Sequence, residues 1–179
     1  MLGRNALYKR NNLFYDFNDF VITPNSTWHE HGVTENGKTC IWQDGLDIPL
    51  ANALESNDYA VLDGKQELNV PVNYSPITYG LSGILIANKV WDKAYSPLFK
   101  FEWKKVYPAL LATAEVNELN PFDGIIMQYS NPLTGGHVMQ TMGASMQLLP
   151  KSFKGKAHKH TGSFVYQCAK GSGYSIIDG

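Results

Sequence analysis

Thr27-Trp-His-Glu-His-Gly32 and Ala157-His-Lys-His-Thr161 each place two histidines two residues apart, and together they hold four of the chain's five histidines. Residues i and i+2 of a strand point to the same face. A His-x-His pair on a strand therefore aims both rings at one point. Imidazole is a common protein ligand for first-row metals such as Fe(II) and Zn. Isolated pairs are more often plain surface or core, so the weight falls on the sequence around them.

Around the second pair the chain reads Asn131-Pro-Leu-Thr-Gly-Gly136, Met142-Gly-Ala-Ser-Met-Gln-Leu-Leu149, Val165-Tyr166, Gly171-Ser-Gly173 and Ile177-Asp-Gly179. Around the first it reads Asp19-Phe-Val-Ile-Thr-Pro24 and Ile41-Trp-Gln-Asp-Gly-Leu-Asp-Ile-Pro49. These runs resemble the gentisate 1,2-dioxygenase-like bicupin family, which includes the salicylate and 1-hydroxy-2-naphthoate dioxygenases. The amino-terminal runs resemble the second half of its first cupin barrel, and the carboxyl-terminal runs the first half of its second barrel. The stretch from Phe99 to Gly136 resembles the lead-in to that second barrel.

The resemblance implies an all-β fold of the cupin, or jelly-roll, type, with a few short helices and two partial barrels. The expected division is residues 1–54 for the end of barrel one, 55–123 for the connection and 124–179 for the start of barrel two. The family's first barrel has another His-x-His motif ahead of the one matched by His29. None of the 28 residues before His29 is a histidine. The second barrel's own later motif is expected beyond Gly179. The expectation is thus a central slice of a longer protein, a truncated piece.

Length and composition fit a globular origin. A chain of 179 residues suffices for one ordinary core. The net charge is −1 and 17% of residues are charged, so neither a polyanion partner nor a nucleic-acid patch is expected. No apolar run approaches the ~18 residues of a membrane span, and Met1 to Asn5 lack the apolar start of a secretory leader. Cys40 and Cys168 are too few for a disulfide framework. They read as buried free thiols in a reducing cytoplasm.

Most of the chain reads as short strands: Leu13–Phe17, Phe20–Thr23, Trp28–His31, Thr39–Trp42, Ile125–Met127, Gly143–Leu149, Ser163–Cys168 and Tyr174–Ile177. Glu35-Asn-Gly-Lys38 is a hairpin turn, because Asn-Gly tolerates positive φ. A short helix is expected from Leu50. The best helix candidate is Tyr107–Glu118, with Pro108 in its first turn and Asn120-Pro121 closing it.

The resemblance also assigns chemistry. The family holds Fe(II) with three neutral histidines. Most cupins add a glutamate after His-x-His, and here Thr161-Gly-Ser-Phe164 offers no carboxylate. The implied reaction is O2-dependent cleavage of gentisate or a related hydroxy-aromatic carboxylate, between the hydroxyl-bearing and carboxyl-bearing carbons. His29 matches an iron ligand, His31 matches a histidine of the catalytic pocket that either supports the metal ligands or contacts the substrate, and Asp44 matches a catalytic-pocket aspartate near the substrate. Asp44 also reads as a turn residue before Gly45. His158 and His160 match the second barrel's pair, as metal ligands or as a vestige. Trp28 reads as core, and His137 has no assigned role. Two other readings stand beside the dioxygenase: a non-catalytic cupin fragment or small-molecule-binding or oligomerisation module, and a permuted single cupin with His29, His158 and His160 on one metal. Open half-barrels leave unpaired sheet edges, so a homo-oligomer is expected.

Overall fold

Two apolar runs flank the polar Asn18-Asp19 turn, and each becomes a strand. The structure, a computed structural model, describes residues 6–8, 13–64, 66–67 and 69–178. Strand β1 (Ala6–Tyr8) lies between β2 (Leu13–Tyr15) and β4 (His31–Gly32), and both pairings are antiparallel. After the turn, β3 (Phe20–Val21) joins a different partner, β5 (Lys100–Phe101), with Phe20 opposite Phe101. A third ladder pairs β6 (Ile125–Gln128) with β7 (Ser145–Leu148), Ile125 opposite Leu148. Gly124 opens β6 at a φ of +66°, and a Cβ there would collide with the Leu148 carbonyl oxygen.

Three helices punctuate these ladders. Helix α1 (Ile48–Ala53) falls where a short helix is expected. Helix α2 (Tyr74–Tyr79) is not legible in the irregular connection. It is fixed from outside by Ser75, whose hydroxyl donates to the Pro97 carbonyl (2.8 Å) and accepts from the Phe99 amide (2.8 Å). Helix α3 (Trp103–Val116) starts four residues before the expected Tyr107, so Pro108 lies inside it rather than in its first turn. Pro108 has no N–H to give the Lys104 carbonyl, a helical bond forgone.

The cause of the early start is long-range. Glu102 precedes α3 without a side-chain cap. Instead the Trp103 amide donates to Asp19 Oδ1 (2.8 Å), contributed by the β2–β3 turn. The other oxygen of Asp19 lies 3.3 Å from Lys100 Nζ, and both side chains are almost fully buried. Lys100 also donates to the Phe14 carbonyl (2.7 Å). A buried ammonium is tolerated only when paired and hydrogen-bonded in this way.

The buried core is one cluster of Leu13, Ile22, Phe99, Tyr129 and Val138. Its members come from all three expected stretches of the chain. Aromatic rings line it: Tyr129 stacks on Phe20 at 4.5 Å and meets Phe101 at 4.9 Å. Such contacts add to simple area burial.

The expectation of an all-β fold with a few short helices and partial barrels is met in part. The three helices hold more residues than the strands, and no barrel closes among the described residues. Thr39–Trp42, Ser163–Cys168 and Tyr174–Ile177 form no strands. Alternating sequence alone does not hold a strand, since its stability comes from a ladder and a covered face. Those segments have neither here, and Phe164, Val165, Tyr166, Ile176 and Ile177 are exposed.

Candidate metal centre

The Pro24-Asn-Ser turn, closed by a hydrogen bond from the Thr27 hydroxyl to the Pro24 carbonyl (2.5 Å), leads into the first histidine pair. His31 lies on β4, opposite Tyr8. His29 precedes the strand, and its Nδ1 lies 3.2 Å from the Thr27 carbonyl. The two rings are 5.4 Å apart, edge to face, and Trp42 sits 5.0 Å beyond His31. Trp28 is 43% exposed, which corrects its reading as core. With His31 starting the strand, Trp28 lies in irregular chain, and its carbonyl accepts from the Gln66 side chain (3.2 Å).

His31 is the electrostatically distinctive member. Burial pushes its pKa below the usual imidazole range, His29 pushes it further down, and the Asp44 carboxylate opposes both. The shift favours the neutral ring. Asp44 itself is exposed, in the turn before Gly45.

The second pair is also exposed. His158 and His160 are 4.7 Å apart, edge to face. His158 Nδ1 lies 3.3 Å from the Lys156 carbonyl, and its Nε2 lies 3.9 Å from Asp123. Phe122 flanks His158 at 5.4 Å and Phe164 flanks His160 at 4.8 Å. Asp123 escaped sequence reasoning because Pro121-Phe-Asp-Gly124 reads as an ordinary turn. The Gln147 amide donates to its carbonyl (2.9 Å), and this fixes it beside β7.

In each pair the two imidazole rings lie close together, 5.4 and 4.7 Å between centroids. Neither completes a three-histidine set. Among the described residues, no three His, Cys, Asp or Glu side chains gather to hold a metal ion. The arrangement with His29, His158 and His160 on one metal is thus not formed. His137 lies apart on the β6–β7 connection, where Ser130 and His137 form an isolated bridge. The cysteines differ from expectation too: among the described residues both are free thiols, but Cys168 is exposed and Cys40 only half-buried.

No family model matches the chain. Individual proteins do. It is 36% identical over 161 residues to gentisate 1,2 dioxygenase 1 of Aquipseudomonas alcaligenes, an alignment covering 89% of this chain and 46% of that protein. It is 33% identical over 165 residues to 5-aminosalicylate 1,2-dioxygenase of Comamonas, covering 90% of this chain and 42% of that one. The chain is a relative of the gentisate 1,2-dioxygenase-like proteins. A third member, 1-hydroxy-2-naphthoate 1,2-dioxygenase of Nocardioides, is 31% identical over 89% of this chain and 41% of its own length. The chain therefore spans less than half the length of these relatives. The fold agrees: salicylate 1,2-dioxygenase of Pseudaminobacter salicylatoxidans superposes with a TM-score of 0.63 at 21% identity, over 78% of this chain and 42% of that one. The fold is thus part of a cupin dioxygenase fold, with three small antiparallel ladders in place of a closed barrel. No helix among the described residues is long and apolar enough to cross a membrane.

Proposed function

We propose that this chain carries part of a non-haem Fe(II) ring-cleaving dioxygenase acting with O2 on gentisate or a related hydroxy-aromatic carboxylate. The observation that supports it is the alignment of 89% of the chain with a gentisate 1,2 dioxygenase at 36% identity. His29 is the proposed iron ligand of the first pair. His31 and Asp44 face the substrate, and His158 and His160 form the second pair. Fe(II), when bound, supplies the chemistry that activates O2. His31, shifted toward its neutral form, is suited to accept the proton of a phenolic hydroxyl, and the nearby Asp44 carboxylate stabilises the imidazolium that results.

Two imidazoles per pair are too few for a three-histidine centre, so the remaining ligands lie outside the described residues. The chain by itself is expected to hold iron weakly. Association of copies through open strand edges, in a reducing cytoplasm, completes the proposal.

The test has two arms. Anaerobic Fe(II) loading followed by desalting should leave far less than one iron per isolated chain. A chimera supplying the unaligned segments of the Aquipseudomonas relative should consume O2 with gentisate or another hydroxy-aromatic carboxylate, and His29→Ala should abolish that uptake. One tightly held iron in the isolated chain would overturn the incomplete ligand set. An iron-loaded chimera inert toward gentisate, 5-aminosalicylate, salicylate and 1-hydroxy-2-naphthoate would overturn the dioxygenase reading.

A further inference from the structure

Residues 151–160 read Lys-Ser-Phe-Lys-Gly-Lys-Ala-His-Lys-His, with four lysines and no acid, in a chain whose net charge is −1. All four lysines are exposed. Residues 55–67 carry the opposite sign, with Glu55, Asp58, Asp63 and Glu67 against Lys65 alone. Those four acids are exposed as well. Among the described residues, none of the four lysines and four acids forms an ion pair, within its own segment or with the other. The two patches therefore do not neutralise each other inside one chain.

Both segments also carry apolar side chains that their own chain leaves uncovered. Tyr59 is 86% exposed, and Leu54 and Val61 are exposed near it in sequence. Phe164, Val165 and Tyr166 follow the basic run and are exposed too. The Phe164 and Tyr166 rings are nearly parallel, 6.0 Å apart, and so share one face. Exposed ion pairs are each worth little, but opposed patches steer and orient an encounter. The affinity has to come from the apolar part. A large aromatic side chain buries about 150–250 Å². Three rings per copy, with Leu54, Val61 and Val165, supply most of the roughly 1,600 Å² that a standard interface buries.

We propose that residues 54–67 of one copy receive residues 151–166 of a second copy, acid against base and apolar side chain against ring. In a two-fold pair each copy gives both segments, so the contact forms twice and the assembly closes as a dimer. This gives a place to the association of copies proposed above and rests on that part of the reading alone. No metal takes part.

The test is sedimentation equilibrium of the full chain with a metal chelator present, which keeps the outcome apart from the dioxygenase reading. A monomer–dimer equilibrium is expected. Raising NaCl from about 0.1 M to about 1 M cuts the screening length from about 10 to about 3 Å, and should raise the dimer Kd at least about threefold. One variant carries Lys151→Glu, Lys154→Glu and Lys156→Glu, and a second carries Asp58→Lys, Asp63→Lys and Glu67→Lys. Each opposes like charges in both contacts, and each should weaken its own dimer at least about tenfold. Mixed in equal amounts, the two variants restore complementary signs at both contacts and should dimerise as the parent chain does. All six positions are exposed, and circular dichroism checks that both variants fold. A monomer at every concentration would overturn both the association and this interface. A dimer indifferent to both variants, or a mixture that fails to restore dimerisation, would overturn this interface and leave association by other edges standing. Saturable binding of a labelled single-stranded DNA at 0.1 M NaCl that disperses the dimer would assign the basic run to nucleic acid, and would overturn it too.

Discussion

The stretch from Ser96 to Leu148 and the stretch from Pro150 to Asp178 are both rich in apolar residues, yet only the first is packed. The first holds α3, the β6–β7 ladder, strand β5 and most of the core cluster. The second has no helix or strand and exposes Phe164, Val165, Tyr166, Tyr174, Ile176 and Ile177. It is attached at a few points. The Lys156 amide donates to the Pro121 carbonyl (2.9 Å), the Asn18 amide donates to the Ala169 carbonyl (2.9 Å), and Lys170 donates to the Tyr107 hydroxyl (2.9 Å). Hydrophobicity decides what a segment is able to bury, and partners decide whether it does. The second histidine pair falls in the sparsely packed stretch, and none of the core cluster is a histidine.

The sharpest way to break the contrast is through the buried ion pair. Lys100→Ala leaves the Asp19 carboxylate buried without its cation, and the expected loss is about 3–5 kcal/mol, read by urea unfolding. A loss below 1 kcal/mol would mean that water reaches Asp19. Next is Leu110→Ala: Leu110 is 2% exposed, and truncation should cost about 2–4 kcal/mol in the same assay. A smaller effect is expected from alkali. Burial raises the Tyr129 pKa to about 12, above the usual phenol value of about 10. The native state therefore holds its proton where the unfolded chain releases it. The stability this contributes is complete below pH 10 and is lost as pH rises from 10 through 12. Ultraviolet titration of the ten tyrosines should show a late phase that shrinks in Tyr129→Phe. The smallest effect is expected on the exposed side. Tyr174→Ser should change stability by less than about 0.5 kcal/mol, and a larger loss would mean that this segment is packed in solution.

Local chemistry was readable, and long-range pairing was not. The runs starting at Leu13, Phe20, Ile125 and Gly143 each hold a strand over at least part of their length, because each found a ladder. The run from Ser163 to Cys168 carries an equally good pattern and found none. Tyr107–Glu118 was recognisable as helix from its composition, but its true start depends on Asp19, which no local window contains. The two histidine pairs were legible as pairs. What each pair lacks was not, since Trp42 reaches His31 and Asp123 reaches His158 only through folding of intervening chain. Helix α2 is the extreme case: its sequence, Tyr74-Ser-Pro-Ile-Thr-Tyr79, has little helical preference, and Ser75 holds it through contacts more than 20 residues away.

Asp19 has a kinetic consequence. The bond from the Trp103 amide to its carboxylate spans 84 residues, and the entropy of closing that loop must be met before the bond forms. The first turn of a helix ordinarily frays and exchanges its amide hydrogens quickly. Here the Trp103 hydrogen is locked until the β2–β3 turn lets go. Its exchange rate reports when the amino-terminal strands leave the rest of the molecule, so a single amide serves as a clock for the docking of distant parts of the chain.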